Sequence, residues 1–309
     1  RPEIIPEYAR LGLRASARIK QDRLEAAEAP ANRGGGINRD QSWESKKKAL
    51  EVIFPVARSL HRQAEFDRFI EEGGLDLRRY ALWCALAEYY GTAELPAEVA
   101  TPDSPRTKEL EVELAERIKF YQWAQWVAVQ QCREPNEVAK RLGMPIGIMA
   151  DLAVGVAGFG AEFWSNQDQF AASMGVGAPP DMYSQQGQNW TQPPWNPRAL
   201  EKAGYAPLRD VMRATMSLSG AIRIDHILGL FRLWWIPDGA AASEGTYVYY
   251  DHEAMIGILL LEAHRHGSLV IGEDLGTVEP WVRSYLSDRG ILGTSVVWFE
   301  KEDSGWPLH

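Results

Sequence analysis

The sequence predicts an α/β protein, a partial TIM (β/α)8 barrel with about four of the eight strands and a large helical insertion at the N-terminal side. Three observations lead there. From Met144 onward, short apolar runs alternate with stretches of helical spacing, the order expected of a parallel sheet. Four of those runs each deliver an acid to the carboxyl end, Asp151, Asp225, Glu273 or Glu300, and that end of a barrel strand is where sheet enzymes place their chemistry. No glycine fingerprint follows the first run, so a barrel is preferred to a dinucleotide-binding sheet.

Residues 1–143 read as all helix and are taken as a helical insertion subdomain; residues 144–309 are taken as the catalytic core. Between Pro6 and Ala29 the residues Tyr8, Leu11, Ile19 and Leu24 are spaced for a helix. Asn32 to Ile37, with its three consecutive glycines, reads as a linker, because a phosphate loop would need a strand before it. Asp40 is expected to cap a helix through Phe54, and further helices are expected over Gln63–Glu72 and Asp76–Tyr90. The proline-studded segment from Leu95 to Pro105 leads into an amphipathic run to about Leu142, broken or kinked near Pro135. Trp123 and Trp126, three apart on that run, read as core.

In the second half, Pro145–Leu152 is a short buried strand ending in Asp151, and Met212–Ser219 is helical. The centre of the chain is Ala221–Pro237, AIRIDHILGLFRLWWIP, a buried strand that breaks at Asp225 and His226 with Arg223 two residues back on the same face. A buried Arg223–Asp225 ion pair is the structural alternative to a catalytic use of that strand end. Asp251 is expected to cap a helix through His266, Ser268–Ile271 is a third strand, Val278–Asp288 is helical, and Thr294–Phe299 is a fourth strand. Residues 166–197 lack periodicity and read as a long ligand-contacting loop. There Gln188, Asn189, Trp190 and Trp195 offer flat apolar faces and amides suited to sugar hydroxyls, with a lid packed on its own tryptophans as the alternative.

Composition narrows the ligand. A net charge of -9 and a pI near 5.3 over 309 residues exclude a polyanion partner such as nucleic acid, so a neutral or small ligand is expected. Cys84 and Cys132 form no disulfide framework and read as free thiols of a reducing cytoplasm. The opening thirty residues lack a secretory core, and no apolar run is long enough to span a bilayer, so a cytoplasmic location without membrane partners is expected. Asn189-Trp190-Thr191 matches a glycosylation acceptor by chance on this reading. No metal and no cofactor are expected, because the Asp251-His252-Glu253 and His264-Arg265-His266 clusters lack ligand spacing. The strongest chemical pair is Asp225 with Glu273, since glycosyl transfer uses two carboxylates.

Several stretches carry a specific resemblance: MADLAVGV, VGAPPD and GQNW, then RIDHILGLFRLWWIP, EGTYVYYDHEAMIG, IGEDLGTVEPWV and GILGTSVVWFE. Together, in this order, they resemble the 4-alpha-glucanotransferases, the amylomaltase or disproportionating-enzyme family (glycoside hydrolase family 77, in the alpha-amylase clan). The helical first half resembles the insertion typical of actinobacterial members. The resemblance implies Asp225 as the nucleophile that forms a covalent glucosyl-enzyme and Glu273 as general acid/base. It implies Arg223 and His226 as contacts to the nucleophile and donor sugar, Asp151 as the acid after the third barrel strand, and Asp181, Gln188 and Trp190 as lining the acceptor side. Maltooligosaccharides or other alpha-1,4-glucans are the implied partners. From the neighbouring residues, Arg223 is expected to hold Asp225 ionised and burial to hold Glu273 protonated.

The chain departs from the family pattern in two places. Val156–Gly160 carries no acid where many members have one, and no His is followed by Asp, so the family's third catalytic acid has no counterpart. With Arg1 opening the chain and His309 closing it, an internal fragment is expected, with the remaining strands elsewhere and no activity alone. The competing functions are a glucan hydrolase, which raises the number of reducing ends, and a glucan-binding module without turnover.

Overall fold

A computed structural model describes residues 1–28, 38–182, 184–276 and 278–297. The chain divides into two compact units, Arg1–Gln131 and Cys132–His309. That division falls inside a helix, upstream of the change of pattern at Met144. The glycine run at 32–37 and Glu300 lie outside the described residues.

The described part of the first unit is helical. After two short 3-10 turns come α1 (Leu13–Glu28), α2 (Arg39–Ile53), α3 (Leu60–Tyr90), α4 (Pro105–Glu113) and the first part of α5 (Ala115–Arg141). Asn38, not Asp40, caps α2: its side chain accepts from the Gln41 amide, while Asp40 sits in the first turn, where a carboxylate complements the helix dipole. The two helices expected over Gln63–Glu72 and Asp76–Tyr90 are both present within α3 and meet at a kink at Gly74, whose φ of 49° leaves the helical region. Pro135 lies inside α5, which runs on through it to Arg141. Trp123 and Trp126 are buried, as their spacing predicts, beside Phe66 and Phe120.

The second unit holds two sheets. Its elements in order are β1 (Met149–Leu152), α6 (Ala161–Ser165), β2 (Met174–Ala178), β3 (Gln188–Gln192), α7 (Pro197–Lys202), α8 (Ala206–Met216), β4 (Ala221–Ile224), β5 (Arg232–Pro237), β6 (Thr246–Tyr249), α9 (His252–His266), β7 (Leu269–Gly272) and α10 (Pro280–Asp288). Among the described residues β1, β4 and β7 make a parallel sheet in that order, and β3, β2, β5 and β6 an antiparallel one. The parallel sheet carries three of the four expected strands. The fourth differs: residues 294–297 are not in a strand, and the chain instead touches β7 earlier, through a parallel bridge from Leu292 to Ile271.

The parallel sheet forms because β-branched residues alternate with a small set of neighbours on both faces. Ile222 is fully buried, and Ile224 and Val270 nearly so, against Met212 and Met216 of α8 and Met255, Ile256 and Leu259 of α9. Gly220 lets β4 start there, since a Cβ would fall 1.5 Å from the Ile146 carbonyl oxygen. Asp251 caps α9 by accepting from the Ala254 amide, as expected.

The expectation of an irregular loop over 166–197 is corrected by β2 and β3. Their signal is hidden because β2 reads MGVGA, and glycine lowers strand propensity. Here glycine is required: a Cβ on Gly177 would lie 2.0 Å from the Gln188 carbonyl oxygen, so only glycine admits the bulged β3. No helix among the described residues is long and apolar enough to cross a membrane.

Helices α8 and α9 are tied by a charged cluster. The fully buried Glu262 receives hydrogen bonds from Arg213 (3.2 and 3.3 Å) and Arg265 (2.6 Å), which hold its pKa below the ordinary 4.5, the Arg213 bond most of all. A depressed carboxyl contributes stability that is present above the unfolded pKa and lost as pH falls through the folded one. Both arginines are about half exposed to solvent screening. Glu262→Gln should therefore cost only about 1 kcal/mol at pH 7, or roughly 2–4 °C in Tm. It should also flatten the fall in Tm below pH 4.5. Thermal melts from pH 7 to pH 3 check this; parallel curves for the two proteins would refute it.

Candidate active site

The site is built at the carboxyl ends of β4 and β7. In register, Arg223 of β4 lies between Asp151 of β1 and Ile271 of β7, and Ile224 pairs with Gly272. Arg223 bridges two carboxylates, Asp151 Oδ1 at 2.7 Å and Asp225 Oδ1 at 3.0 Å. Its pKa is raised chiefly by the bond to Asp151 and further by Asp225. This is not the buried pair considered from the sequence, because the Asp225 and Asp151 side chains are 41% and 65% exposed.

Beyond Asp225 the chain turns sharply. His226 has φ 49°, ψ 61°, a left-handed conformation for a residue with a Cβ, and a 3-10 turn over Ile227–Leu230 follows. Its amide donates to Glu273 Oε2 at 2.9 Å, and the Leu275 amide donates to Oε1 at 2.8 Å. Both oxygens of Glu273 thus rest on backbone donors, and the residue is half-buried. The expected apolar burial of this carboxyl is not what surrounds it. The imidazole of His226 lies edge-on to Trp190, with centroids 5.5 Å apart. Burial lowers its pKa below the ordinary 6.5, against the opposing pull of Glu273 and Asp225.

These groups face a cleft of about 390 Å³. Six of the eight residues singled out from the sequence line it: Asp181, Gln188, Trp190, Asp225, His226 and Glu273. Asp151 and Arg223 do not line it and join it through the Arg223–Asp225 contact. Gln188 and Trp190 stand on one face of β3, and the indole N–H of Trp190 donates to Gln188 Oε1 at 3.0 Å. Asp181 Oδ1 accepts from the Ser184 amide at 2.6 Å. The tryptophans divide between both earlier readings: Trp195 stacks on Phe170 at 4.1 Å, whereas Trp190 reaches the cleft. A second cavity of about 230 Å³, walled by Leu152, Trp195, Met212 and Met255 among others, lies behind Asp225 and His226 and supplies apolar surroundings for the imidazole.

Arg232, Trp234 and Tyr247, not among the residues singled out from the sequence, also line the cleft. Trp234 pairs across the strands with Tyr247 and Arg232 with Tyr249, so all four project from one face of β5 and β6. The available signal was alternation: Leu233 and Trp235 point to the core, leaving Arg232 and Trp234 outward. Among the described residues no group of three or more His, Cys, Asp or Glu side chains is placed to hold a metal ion.

Comparison with known proteins gives concordant findings. A family model described as 4-alpha-glucanotransferase matches residues 5–309. The chain is 47% identical over 314 aligned residues to a 4-alpha-glucanotransferase of Mycobacterium tuberculosis, covering all of this chain and 43% of that protein. It is 42% identical to the Haemophilus influenzae 4-alpha-glucanotransferase over 62% of this chain and 28% of that protein. The crystal structure of amylomaltase from Corynebacterium glutamicum superposes with a TM-score of 0.85 at 41% identity, over 99% of this chain and 42% of that one. The fold also matches that of the Streptococcus agalactiae amylomaltase in complex with acarbose, TM-score 0.76 at 19% identity, over 93% of this chain and 61% of that one. The chain therefore spans less than half the length of the M. tuberculosis and H. influenzae relatives.

The environment of His226 sets a titration. Its folded pKa lies below 6.5, so the neutral ring is favoured in the folded state, and the stability this gives declines as pH falls from 6.5 through the folded value. Removing either raising charge, by Asp225→Asn or Glu273→Gln, should lower the pKa further. Proton–nitrogen NMR of the imidazole across pH 4–8 measures it; a midpoint at or above 6.5 would contradict the burial described.

Proposed function

Because the chain belongs to the 4-alpha-glucanotransferase family, matched over residues 5–309, we propose that its cleft transfers segments of alpha-1,4-glucan by a retaining, two-step displacement. The observation that carries this is the convergence of Asp225 and Glu273, from the ends of adjacent parallel strands, on one cleft with Trp190 and Gln188. In the first step the Asp225 carboxylate attacks the anomeric carbon, the glycosidic bond breaks, and Glu273 gives its proton to the departing oxygen. In the second, Glu273 takes the proton of an acceptor hydroxyl, whose oxygen displaces Asp225 and restores both groups.

The chain's residues divide these tasks. Arg223, paired with Asp225 at 3.0 Å, orients the carboxylate that attacks. Glu273 is held in place by the His226 and Leu275 amides, so its orientation is set before substrate arrives. Adjacent parallel strands lie about 4.8 Å apart. Retention needs carboxyl groups about 5–5.5 Å apart, whereas inversion needs roughly 6.5–9.5 Å to admit a water, and residues that follow paired positions on adjacent strands are neighbours on that scale. Trp190 offers a face for a pyranose ring, with Gln188 beside it for hydroxyls, and Trp234 and Tyr247 extend the aromatic wall. An ordered acceptor sugar there competes with water and supports transfer over hydrolysis.

Maltotriose incubated with the protein that carries this chain should yield glucose and longer oligomers while the number of reducing ends stays constant. Asp225→Asn should lower that rate by at least about three decades, since an amide cannot attack the anomeric carbon. Glu273→Gln should slow maltotriose transfer by about two to four decades and slow an activated glucosyl fluoride donor much less, because fluoride leaves without a proton. A rise in reducing ends would assign hydrolysis instead, and equal slowing of both donors would remove Glu273 as the acid.

A further inference from the structure

A second aromatic surface lies beside the cleft, over the β5–β6 edge and the start of α10, and no step of the proposed transfer uses it. Trp281 is 47% exposed and Tyr249 66% exposed. They border a smaller cavity of about 110 Å³ together with His252, Glu279 and Arg232. Singly exposed aromatics need no explanation, but here two are joined by a chain of polar contacts. The Trp281 indole N–H donates to Glu279 Oε2 at 2.6 Å, Arg232 pairs with Glu279 Oε1 at 2.8 Å, and Arg232 donates to the Tyr249 hydroxyl at 3.4 Å.

The indole is fixed in place before any ligand arrives. Phe231, His252 and Tyr285 contact it at centroid distances of 5.7, 5.5 and 6.1 Å and at 62–83° between planes, so none of them stacks on it. His252 is itself stacked on Phe231 at 5.0 Å. A rigid, half-exposed indole flanked by a carboxylate, a guanidinium and a phenol has the composition that holds a hexopyranose: an apolar face for its C–H groups and donors and acceptors for its hydroxyls.

Its position ties it to the cleft. Arg232 and Leu228 line both cavities, and the Arg232 guanidinium lies 4.2 Å over the Tyr247 ring on the cleft side while pairing with Glu279 on the other. The two cavities thus adjoin at Arg232 and Leu228, which gives a glucan longer than the cleft's 390 Å³ accommodates a surface to continue onto. We propose that Trp281, Tyr249 and Glu279 form an accessory subsite for a glucose unit of a long alpha-1,4-glucan whose other units occupy the cleft. This rests on the glucan reading of the cleft.

The test compares short and long ligands. Calorimetric titration of the protein carrying this chain with maltotriose and with maltoheptaose should show Trp281→Ala and Tyr249→Ala each weakening maltoheptaose by about 3- to 10-fold. Maltotriose affinity and the rate of maltotriose disproportionation should change less than about twofold, and Trp281→Phe should keep most of the maltoheptaose affinity. Trp190→Ala, in the cleft, should weaken both sugars. If Trp281→Ala perturbs folding, seen as a lowered Tm, Tyr249→Ala decides alone. Unchanged maltoheptaose affinity in well-folded variants, with Trp190→Ala still weakening both sugars, overturns the subsite and leaves the cleft reading intact. Failure of the unaltered protein to bind either sugar overturns both.

Discussion

The site depends on the tie between one strand end and the side chain at the end of the other, the His226 amide donating to Glu273 Oε2 at 2.9 Å. To make it, His226 takes a left-handed backbone that costs a non-glycine residue roughly 1–2 kcal/mol. A hydrogen bond contributes about 0.5–1.5 kcal/mol, similar in size to that cost, so the turn relies on the Glu273 side chain being there to accept it. The same turn sends Ile227 into the core, where it is fully buried and its amide donates to the Glu273 carbonyl at 3.0 Å. Gly272 completes the fit, because a Cβ there would come within 2.6 Å of Ile227. The segments IDHI and IGED are thus solutions to one packing problem, and neither carboxylate is positioned by its own strand alone.

The two sheets contribute different chemistry to the cleft. The parallel sheet brings charge, since its strand ends carry Asp225 and Glu273 with Arg223 spanning to Asp151. The antiparallel sheet brings flat apolar area, with Trp190 from β3 and Trp234 and Tyr247 from β5 and β6. Alternation makes this possible, because each strand can bury one face and present the other. Asp274, buried next to Glu273, pairs with Arg283 at 3.3 Å and accepts from the Thr294 amide at 2.9 Å, anchoring the turn from the side away from the cleft.

Much of this was legible in the sequence, and the failures have physical causes. The β-branched runs at Ala221 and Leu269 announce buried parallel strands, and the acids after them announce a strand-end site. Asn189 to Thr191 and the glycines of β2 hide a sheet instead, because the backbone there is shaped by a close approach that composition does not encode. The cap of α2 was misassigned because Asn38 and Asp40 are both good caps two residues apart, and only the entry angle of the chain decides between them. Arg232, Trp234 and Tyr247 were missed because an apolar block containing two tryptophans reads as core, although its period of two already splits it between two faces. The surroundings of Glu273 could not be read at all, since its two amide partners come from a turn made by His226 and from its own loop.

The charge balance of the cleft bears on what it can bind and stabilise. Its lining holds three carboxyl groups, Asp181, Asp225 and Glu273, against one guanidinium, Arg232, and burial keeps His226 neutral at pH 7. Such a cavity repels phosphates and other anions and admits a neutral polyol, in keeping with the net charge of -9 over the whole chain. In the proposed transfer positive charge develops on the sugar ring, and the Asp225 carboxylate facing that ring stabilises it more than it stabilises the neutral substrate. Arg223 would cancel that field if it faced the cleft. Directed across the sheet toward Asp151 of β1, it orients Asp225 while its charge is shared with a second carboxylate outside the cavity.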